Sequence, residues 1–345
     1  FPMTEFAAAL ENKEDPLRIK NIWFRHRGEI IQNECRDLVG DLDGLAFADK
    51  SSLDYQALID QQGGLNRFIF SRGCVFGCPY CSNKAMMEFS KGKGTFFRTR
   101  SPHKAIEEIE RDAASYKFST IFFDDDIITL DKKWFYEFFD LYKAKFRYPF
   151  YCNVRPKTLD AKMARLLKEA GARGVAVGIE HGNEEFRKRV LKRNITDEEI
   201  IQTFKMCEEA GIKENIGQVM IGLPYEDLNL FLDTVRLCRR IHAAYYWYIF
   251  SPYPNTEFGR VCEERSWLTE RPGYRDRRDA RVSYPKFKKG EIQLCHDIFE
   301  CLVRTKPALP LTSRFLSSSM LMRLYRPVAA FQHGVDLIKS VKSIR

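Results

Sequence analysis

Residues 65–83 read LNRFIFSRGCVFGCPYCSN, a short apolar run that ends in a loop holding three cysteines. Asn66 to Phe70 has strand character, and Ser71-Arg72-Gly73 closes the run. Cys74, Cys78 and Cys81 follow at the spacing C-x3-C-x2-C, with no fourth cysteine nearby. A structural zinc site takes four cysteine or histidine ligands in a closed tetrahedron. None of the six histidines (26, 103, 181, 242, 296 and 333) has the local spacing to complete one. A four-iron cluster held by only three thiolates keeps one iron open to a small-molecule ligand, which turns a structural cofactor into a reactive one. Gly77 and Pro79 suit a tight loop around such a cluster, and Tyr80 can pack on whatever the open iron binds.

Outward from this loop, β-rich runs alternate with helical stretches. Strands are predicted at 119–126, 149–156, 174–182, 215–224 and 245–254. Helices are predicted after Ser101-Pro102, around 132–142, and over a stretch carrying Met163, Leu166, Leu167 and Ala170 that Gly171 closes. A further helix opens at Thr196 with Glu199 three residues on, a capping box, and another runs from Glu226 to about His242. Near-continuous apolar strands between helices predict a parallel sheet with covered faces. Six units make either an open doubly wound sheet or a partial (β/α)6 TIM-like barrel. The barrel is the preferred reading, because polar residues recur at strand ends: Asp124 and Asp126, Asn153 and Arg155, Glu180, and Gln218. Alternation places Asn153 and Arg155 on one face and Cys152 and Val154 on the other. It likewise separates Ala176, Gly178 and Glu180 from Val175, Val177 and Ile179, as a ligand-filled lumen requires.

Three regions follow. Residues 1–64 read as a linker or strap with a hairpin around Gly28, residues 65–258 as the core, and residues 259–345 as a basic tail with helices near 290–304 and 313–342. The net charge of +9 lies entirely in that tail, where residues 260–345 hold 18 Lys/Arg against 9 Asp/Glu. A solvated basic surface is the plain explanation, and an anionic substrate, nucleic acid or membrane face the sharper one. No apolar run approaches the roughly 20 residues of a membrane span, and no signal peptide is visible at the N-terminus. Most of the ten cysteines stand singly in apolar surroundings, which reads as reduced thiols in a cytoplasmic protein. Phe1-Pro2-Met3 at the start reads as the continuation of a longer protein.

The cysteine spacing, the aromatic before the last cysteine and the preceding strand resemble the radical S-adenosylmethionine (radical SAM) superfamily. The resemblance covers about residues 65–255. It implies a [4Fe–4S] cluster on Cys74, Cys78 and Cys81 whose open iron chelates S-adenosylmethionine (SAM). It also implies reductive cleavage of SAM to a 5′-deoxyadenosyl radical, with electrons from a donor such as flavodoxin or ferredoxin. FFDDD (122–126) matches the strand end that contacts the SAM amino group, so Asp124, Asp125 and Asp126 are candidates. GIEHGN (178–183) resembles the ribose-binding strand, with Gly178 a SAM-site candidate and Glu180 accepting from the ribose hydroxyls, while Gly222 and Pro224 of VMIGLPYED (219–227) would lie beside the adenine. Asn153, Arg155 and Tyr248 are lumen candidates for the substrate. The alternatives are a Mg²⁺ site on the three aspartates and a structural role for Glu180.

A narrower likeness is to the branch that carries a cobalamin-binding domain ahead of the radical SAM domain. SRGCVFGCPYCSN, GIEHGN, IGLPYED, FSPYPNTEFGR (250–260) and the acidic DLDGLAFAD (41–49) carry it. It implies cobalamin-assisted methylation or rearrangement of a substrate. No histidine here has an aspartate two residues before it, so the cobalamin loop D-x-H-x-x-G is absent from these residues. The runner-up is a cobalamin-independent radical SAM oxidoreductase. A reading of another class is a non-catalytic iron–sulfur or zinc protein that binds nucleic acid through its basic tail. FLSSSMLMRLYRPVAAF (315–331) is apolar and basic; packing on the barrel is the plainer reading, and peripheral contact with an anionic membrane, suited to a lipid-like substrate, the sharper one. An auxiliary cluster on Cys262, Cys295 and Cys301 is disfavoured, because no two form a close C-x2-C pair.

Overall fold

The structure, a computed structural model, describes residues 1–270 and 278–305. The second tail helix expected at 313–342 and the stretch 315–331 lie outside the described residues. The N-terminal region holds α1 (Pro2–Glu11), the antiparallel pair β1 (Trp23–His26) and β2 (Glu29–Gln32), and α2 (Tyr55–Gln61). Arg27 and Gly28 both have positive φ, 49° and 87°, which makes the tight turn anticipated at Gly28. Between the hairpin and α2 the acidic stretch runs as a belt along the later barrel elements. Leu38 N donates to Lys93 O at 2.6 Å, Arg98 Nη1 to Val39 O at 2.7 Å, and Ser101 N to Asp43 Oδ1 at 2.8 Å.

The core begins with β3 (Leu65–Phe68) and β4 (Ser71–Arg72). The single strand expected over 66–70 is thus cut short. Ser71–Arg72 leaves the main sheet and pairs antiparallel with β5 (Arg98–Thr99), which follows α3 (Ser82–Phe89). Five units complete the series. They are α4 (Pro102–Ser115) and β6 (Thr120–Phe123), α5 (Lys132–Lys145) and β7 (Phe150–Val154), α6 (Ala161–Glu169) and β8 (Ala172–Glu180), α7 (Glu184–Arg189) with α8 (Asp197–Glu209) and β9 (Ile216–Ile221), then α9 (Leu228–Cys238) and β10 (Ala244–Ile249). The six core strands form one parallel sheet in the order β10-β9-β8-β7-β6-β3, the curled half-barrel of the expected fold class. Helix starts are written locally. Ser101, Asp131, Asp160, Thr196, Asp227 and Asn183 each accept a backbone N–H from the first turn they open, worth about 1 kcal/mol apiece.

Alternation decides the two faces of the sheet. Ile121, Phe123, Phe150, Cys152, Val154, Val175, Val177 and Ile179 point outward and are buried beneath the helices. The aromatic helix α5 supplies Phe135, Phe138, Phe139 and Tyr142 at i, i+3, i+4 and i+7, all fully buried. Phe123 sits in their midst, with ring centroids 5.4 Å from Phe138 and 5.1 Å from Phe150. Phe123→Ala removes this hub and is expected to cost about 3–5 kcal/mol, read as a lower urea midpoint at unchanged slope.

After the barrel come α10 (Glu257–Glu264), an antiparallel bridge between Leu268 and Val282, and α11 (Lys289–Thr305). Trp267, Val282, Tyr284, Phe287, Ile292 and Phe299 of this region join the same apolar core as the barrel. No helix among the described residues is long and apolar enough to cross a membrane.

Candidate active site

The cysteine loop stands at the C-terminal rim of the sheet, between β4 and α3. Gly73, with φ +83°, lets the chain pass the Phe96 carbonyl, which a Cβ would meet at 2.6 Å. Cys74 and Cys78 are buried and Cys81 half-buried, and all three are free thiols. Cys81 N donates to Cys78 O at 3.1 Å, and the Pro79 carbonyl accepts from Phe258 N at 3.1 Å, which ties the loop to α10. Burial pushes the Cys74 and Cys81 thiols up, and coordination to a metal displaces such a proton outright. Two guanidinium groups converge on the middle thiol, with Arg155 Nη1 and Arg193 Nη1 each 3.9 Å from Cys78 Sγ. Arg155 also lies over the Phe76 ring at 3.8 Å. Three soft donors backed by two buried cations fit an anionic iron–sulfur cluster.

The three aspartates after β6 part company. Asp124 turns to the lumen wall, where both oxygens accept from Arg67, Oδ2 from Nε at 2.6 Å and Oδ1 from Nη2 at 2.7 Å. Asp125 is buried and holds the β3–β4 link, its Oδ1 accepting from Phe70 N at 3.1 Å and from Ser71 N at 2.6 Å. Its Oδ1 therefore braces the backbone, while Oδ2 is buried with no hydrogen-bond partner among the described residues. Asp126 is the one brought to the cysteine loop, where it accepts from Asn83 Nδ2 at 2.9 Å. Burial pushes its carboxyl up against the pull of that bond, and its charge reaches Cys74 and Cys81. Asn153 donates to the Asp125 carbonyl at 3.1 Å, so its amide braces this turn.

Glu180 takes φ +67°, outside the usual range for a residue with a side chain, and its carboxylate lies back over Gly178. A Cβ on Gly178 would stand 2.6 Å from Glu180 Oε1. Arg193 Nη1 is 3.4 Å from that oxygen and donates to the Tyr80 hydroxyl at 3.3 Å, while Nη2 donates to the Gly178 carbonyl at 2.8 Å. Burial opposes the charge on Arg193, yet Tyr80, Glu180 and Cys78 together raise its pKa above the usual value. His181 Nδ1 accepts from Asn183 N at 3.0 Å, which assigns the ring proton to Nε2, 3.3 Å from Glu226 Oε1. Gly182 N and Asn183 Nδ2 donate to Thr234 Oγ1 and Asp233 Oδ2 of α9, at 2.9 and 2.7 Å. The HGN half of the motif thus staples the strand end to the next helix.

Glu226 does the same for the β9 end. Its buried Oε2 accepts from Gly222 N and Leu223 N at 2.7 and 2.8 Å. Gly222 has φ +80°, its carbonyl accepts from Tyr284 at 2.8 Å, and a Cβ there would meet Ile292 at 2.6 Å. The glycine is therefore required by the turn and by α11, in addition to the expected approach to a ligand. Pro224 is buried in the same turn, and Tyr248 lies on the lumen face of β10 beside Tyr246. The structure thus brings Cys74, Cys78, Cys81, Tyr80, Asp126, Arg155, Gly178 and Glu180 to one rim. Arg193, Asn83, His181 and Glu226 were missed from sequence. Arg193 lies in a short connection between two helices, and nothing local marks it. His181 and Glu226 stood inside quoted motifs, where burial and pairing were the missing information.

These features carry a family signature over residues 68–238, which match the model of the radical SAM superfamily. The chain is 25% identical over 254 residues to an uncharacterized methyltransferase of Pyrococcus horikoshii, covering 73% of this chain and 54% of that protein. It is 22% identical over 247 residues to the anaerobic magnesium-protoporphyrin IX monomethyl ester cyclase of Cereibacter sphaeroides, covering 69% and 39%. Among solved structures it resembles the radical SAM methyltransferase TsrM of Kitasatospora setae, with TM-score 0.61, 19% identity, and coverage of 79% of this chain and 54% of that one. The cobalamin-dependent SAM radical enzyme OxsB aligns with TM-score 0.55 and 16% identity over 89% of this chain and 44% of that one. At these identities the structural likeness is one of fold, and the chain spans about half or less of each relative's length. A three-cysteine loop at the rim of a parallel half-barrel, with the matched family model, leads to one conclusion: the chain belongs to the radical SAM superfamily of enzymes.

Proposed function

We propose that this chain binds SAM against a [4Fe–4S] cluster on Cys74, Cys78 and Cys81, cleaves it reductively, and directs the 5′-deoxyadenosyl radical at a substrate in the lumen. One observation carries the reading: a single buried guanidinium, that of Arg193, touches both the Cys78 thiol and the Glu180 carboxylate. Cluster ligand and ribose acceptor are thereby held one side chain apart, across the gap that the amino-acid and nucleoside halves of SAM bridge. When bound, the cluster supplies the electron and the open iron that hold and reduce SAM. The chain's own residues do the rest. Arg155 and Arg193 offset the negative charge of the thiolates, Asp126 stands ready for the SAM ammonium, and Glu180 accepts from the ribose hydroxyls. The missing side chain of Gly178 leaves the space in which the Glu180 carboxylate lies.

Methyl transfer is the reaction favoured by the methyltransferase relatives. No residue here forms a cobalamin loop, so no step is assigned to cobalamin within this chain. The substrate is read as a small molecule and the electron donor as a small redox protein. The test is anaerobic turnover of reconstituted protein with SAM and dithionite, followed by 5′-deoxyadenosine. Absence of that product from protein with a spectroscopically intact cluster sinks the proposal. Glu180→Ala should weaken SAM binding about 10- to 100-fold, the loss of one charged acceptor worth about 1.5–3 kcal/mol, with the cluster spectrum unchanged.

A further inference from the structure

Glu180 owes its direction to a break in the sheet. Gly178 pairs with Gln218 of β9, but the next partner of Val219 is Glu180, so two steps along β8 match one along β9. Such a bulge re-aims the side chain at a strand end. His181 N donates to the Ile179 carbonyl at 2.9 Å, which closes a three-residue turn with Glu180 at its apex and φ +67°. A γ-turn of positive φ is rare and strained, and it persists only where its surroundings over-determine it.

The restraint comes from the next residue. His181 is fully buried, its carbonyl accepts from Arg187 Nη1 at 2.8 Å, and its ring centroid lies 4.2 Å from that of Phe186. Its Nε2 stands 3.3 Å from Glu226 Oε1, and neither atom has a hydrogen-bond partner elsewhere among the described residues. With Nδ1 taken by Asn183 N, the ring can meet Glu226 only as a donor. Glu226 Oε2 in turn holds Gly222 N and Leu223 N, in a turn where Gly222 and Tyr225 take φ +80° and +70°. One buried contact thus joins two strained turns. The first carries the ribose candidate Glu180, and the second the adenine candidate Gly222.

Resting on the SAM-binding reading above, we infer that His181 and Glu226 are positioning residues for SAM. Their contact holds Glu180 at the apex of its turn, aimed back over Gly178, and fixes the ribose side of the site against the adenine side. Without the Nε2 donor the turn relaxes towards an ordinary negative φ, and Glu180 leaves its place 3.4 Å from Arg193 Nη1. The loss falls on SAM and spares the cluster.

The test measures SAM affinity of cluster-loaded protein by equilibrium dialysis. Asn at position 181 puts an acceptor where Nδ1 stood and removes the Nε2 donor, whereas Gln carries an amide N–H to the Nε2 position. His181→Asn should weaken SAM about tenfold at unchanged iron and sulfide content, and His181→Gln should return to within about twofold of wild type. Glu226→Gln keeps an oxygen for Gly222 and Leu223 but sets an amide donor against Nε2, so it should also lose about tenfold. Because the effect runs through Glu180, adding either weakening substitution to Glu180→Ala should change affinity less than about twofold. Should His181→Asn fail to fold, Glu226→Gln, alone and with Glu180→Ala, carries the test. Wild-type affinity in the weakening variants overturns the inference. Equal loss from Asn and Gln overturns the donor role in favour of ring packing, and additive loss with Glu180→Ala overturns the route through Glu180. Absence of saturable SAM binding to cluster-loaded wild-type protein defeats instead the reading on which the inference rests.

Discussion

Cys78→Ala, reconstituted anaerobically and supplied with SAM and dithionite, is expected to form no 5′-deoxyadenosine above background. The effect is the largest available, because Cys78 is central to the loop in two senses. It is the middle cysteine of the triplet, and it is the thiol on which Arg155 and Arg193 both converge at 3.9 Å. Its loss removes one of the three proposed cluster ligands and the sulfur that both buried guanidinium groups face, so the cluster is expected to bind poorly or not at all. Iron and sulfide content should fall with the visible charge-transfer absorption of the cluster, while the melting temperature of the metal-free protein changes little. Cys35→Ala, at a thiol remote from the loop in sequence and outside the proposed machinery, is the matched control and should keep wild-type turnover. Wild-type product formation by Cys78→Ala would remove the triplet from the chemistry altogether.

Gly182→Ala should be the most damaging small substitution in the site. A Cβ there would stand 2.2 Å from Thr234 Cα and 2.4 Å from the Asp233 carbonyl, and both belong to the backbone of α9. Backbone does not yield as a flexible side chain does, so α9 has to move. The move breaks the bonds from Gly182 N to Thr234 Oγ1 and from Asn183 Nδ2 to Asp233. Overpacking of this kind costs about 1–3 kcal/mol, and the two lost hydrogen bonds add about 1 kcal/mol each. Because Glu180 is two residues away, SAM affinity should fall as well as stability. Gly77→Ala is the informative comparison. Gly77 lies inside the cysteine loop, yet a Cβ there meets nothing closer than 3.8 Å, at the flexible Lys84 side chain. Chemical denaturation of the pair separates a glycine needed for packing from one that is not; equal stability of the two variants would contradict the close approach of β8 and α9.

The order of the strands, the helix caps and the cysteine loop were legible in the sequence because each rests on short-range rules. A capping box at Thr196 and Glu199, or a turn at Gly28, is complete within a few residues, and the period-2 pattern of FYCNV sorts Asn153 from Cys152 without a partner. Strand ends were less legible. FFDDD read as one strand through Asp126, but the sheet stops at Phe123, and each aspartate goes to a different neighbour: Arg67, the Phe70–Ser71 backbone and Asn83. All three carboxylates look alike in sequence, and only the partner that the fold supplies tells a lumen residue from a brace.

By itself, then, the sequence determined a series of parallel strands and helices with a three-cysteine loop after the first strand, since alternation, caps and C-x3-C-x2-C are local patterns with few structural solutions. Tertiary structure decided what the long-range pairs are. It joined Arg193 to both Cys78 and Glu180, set His181 against Glu226, and laid Arg67, Phe122 and Tyr151 side by side across β3, β6 and β7. These residues are far apart in the chain, and closing such distances depends on the packing of the whole sheet, which no short stretch records.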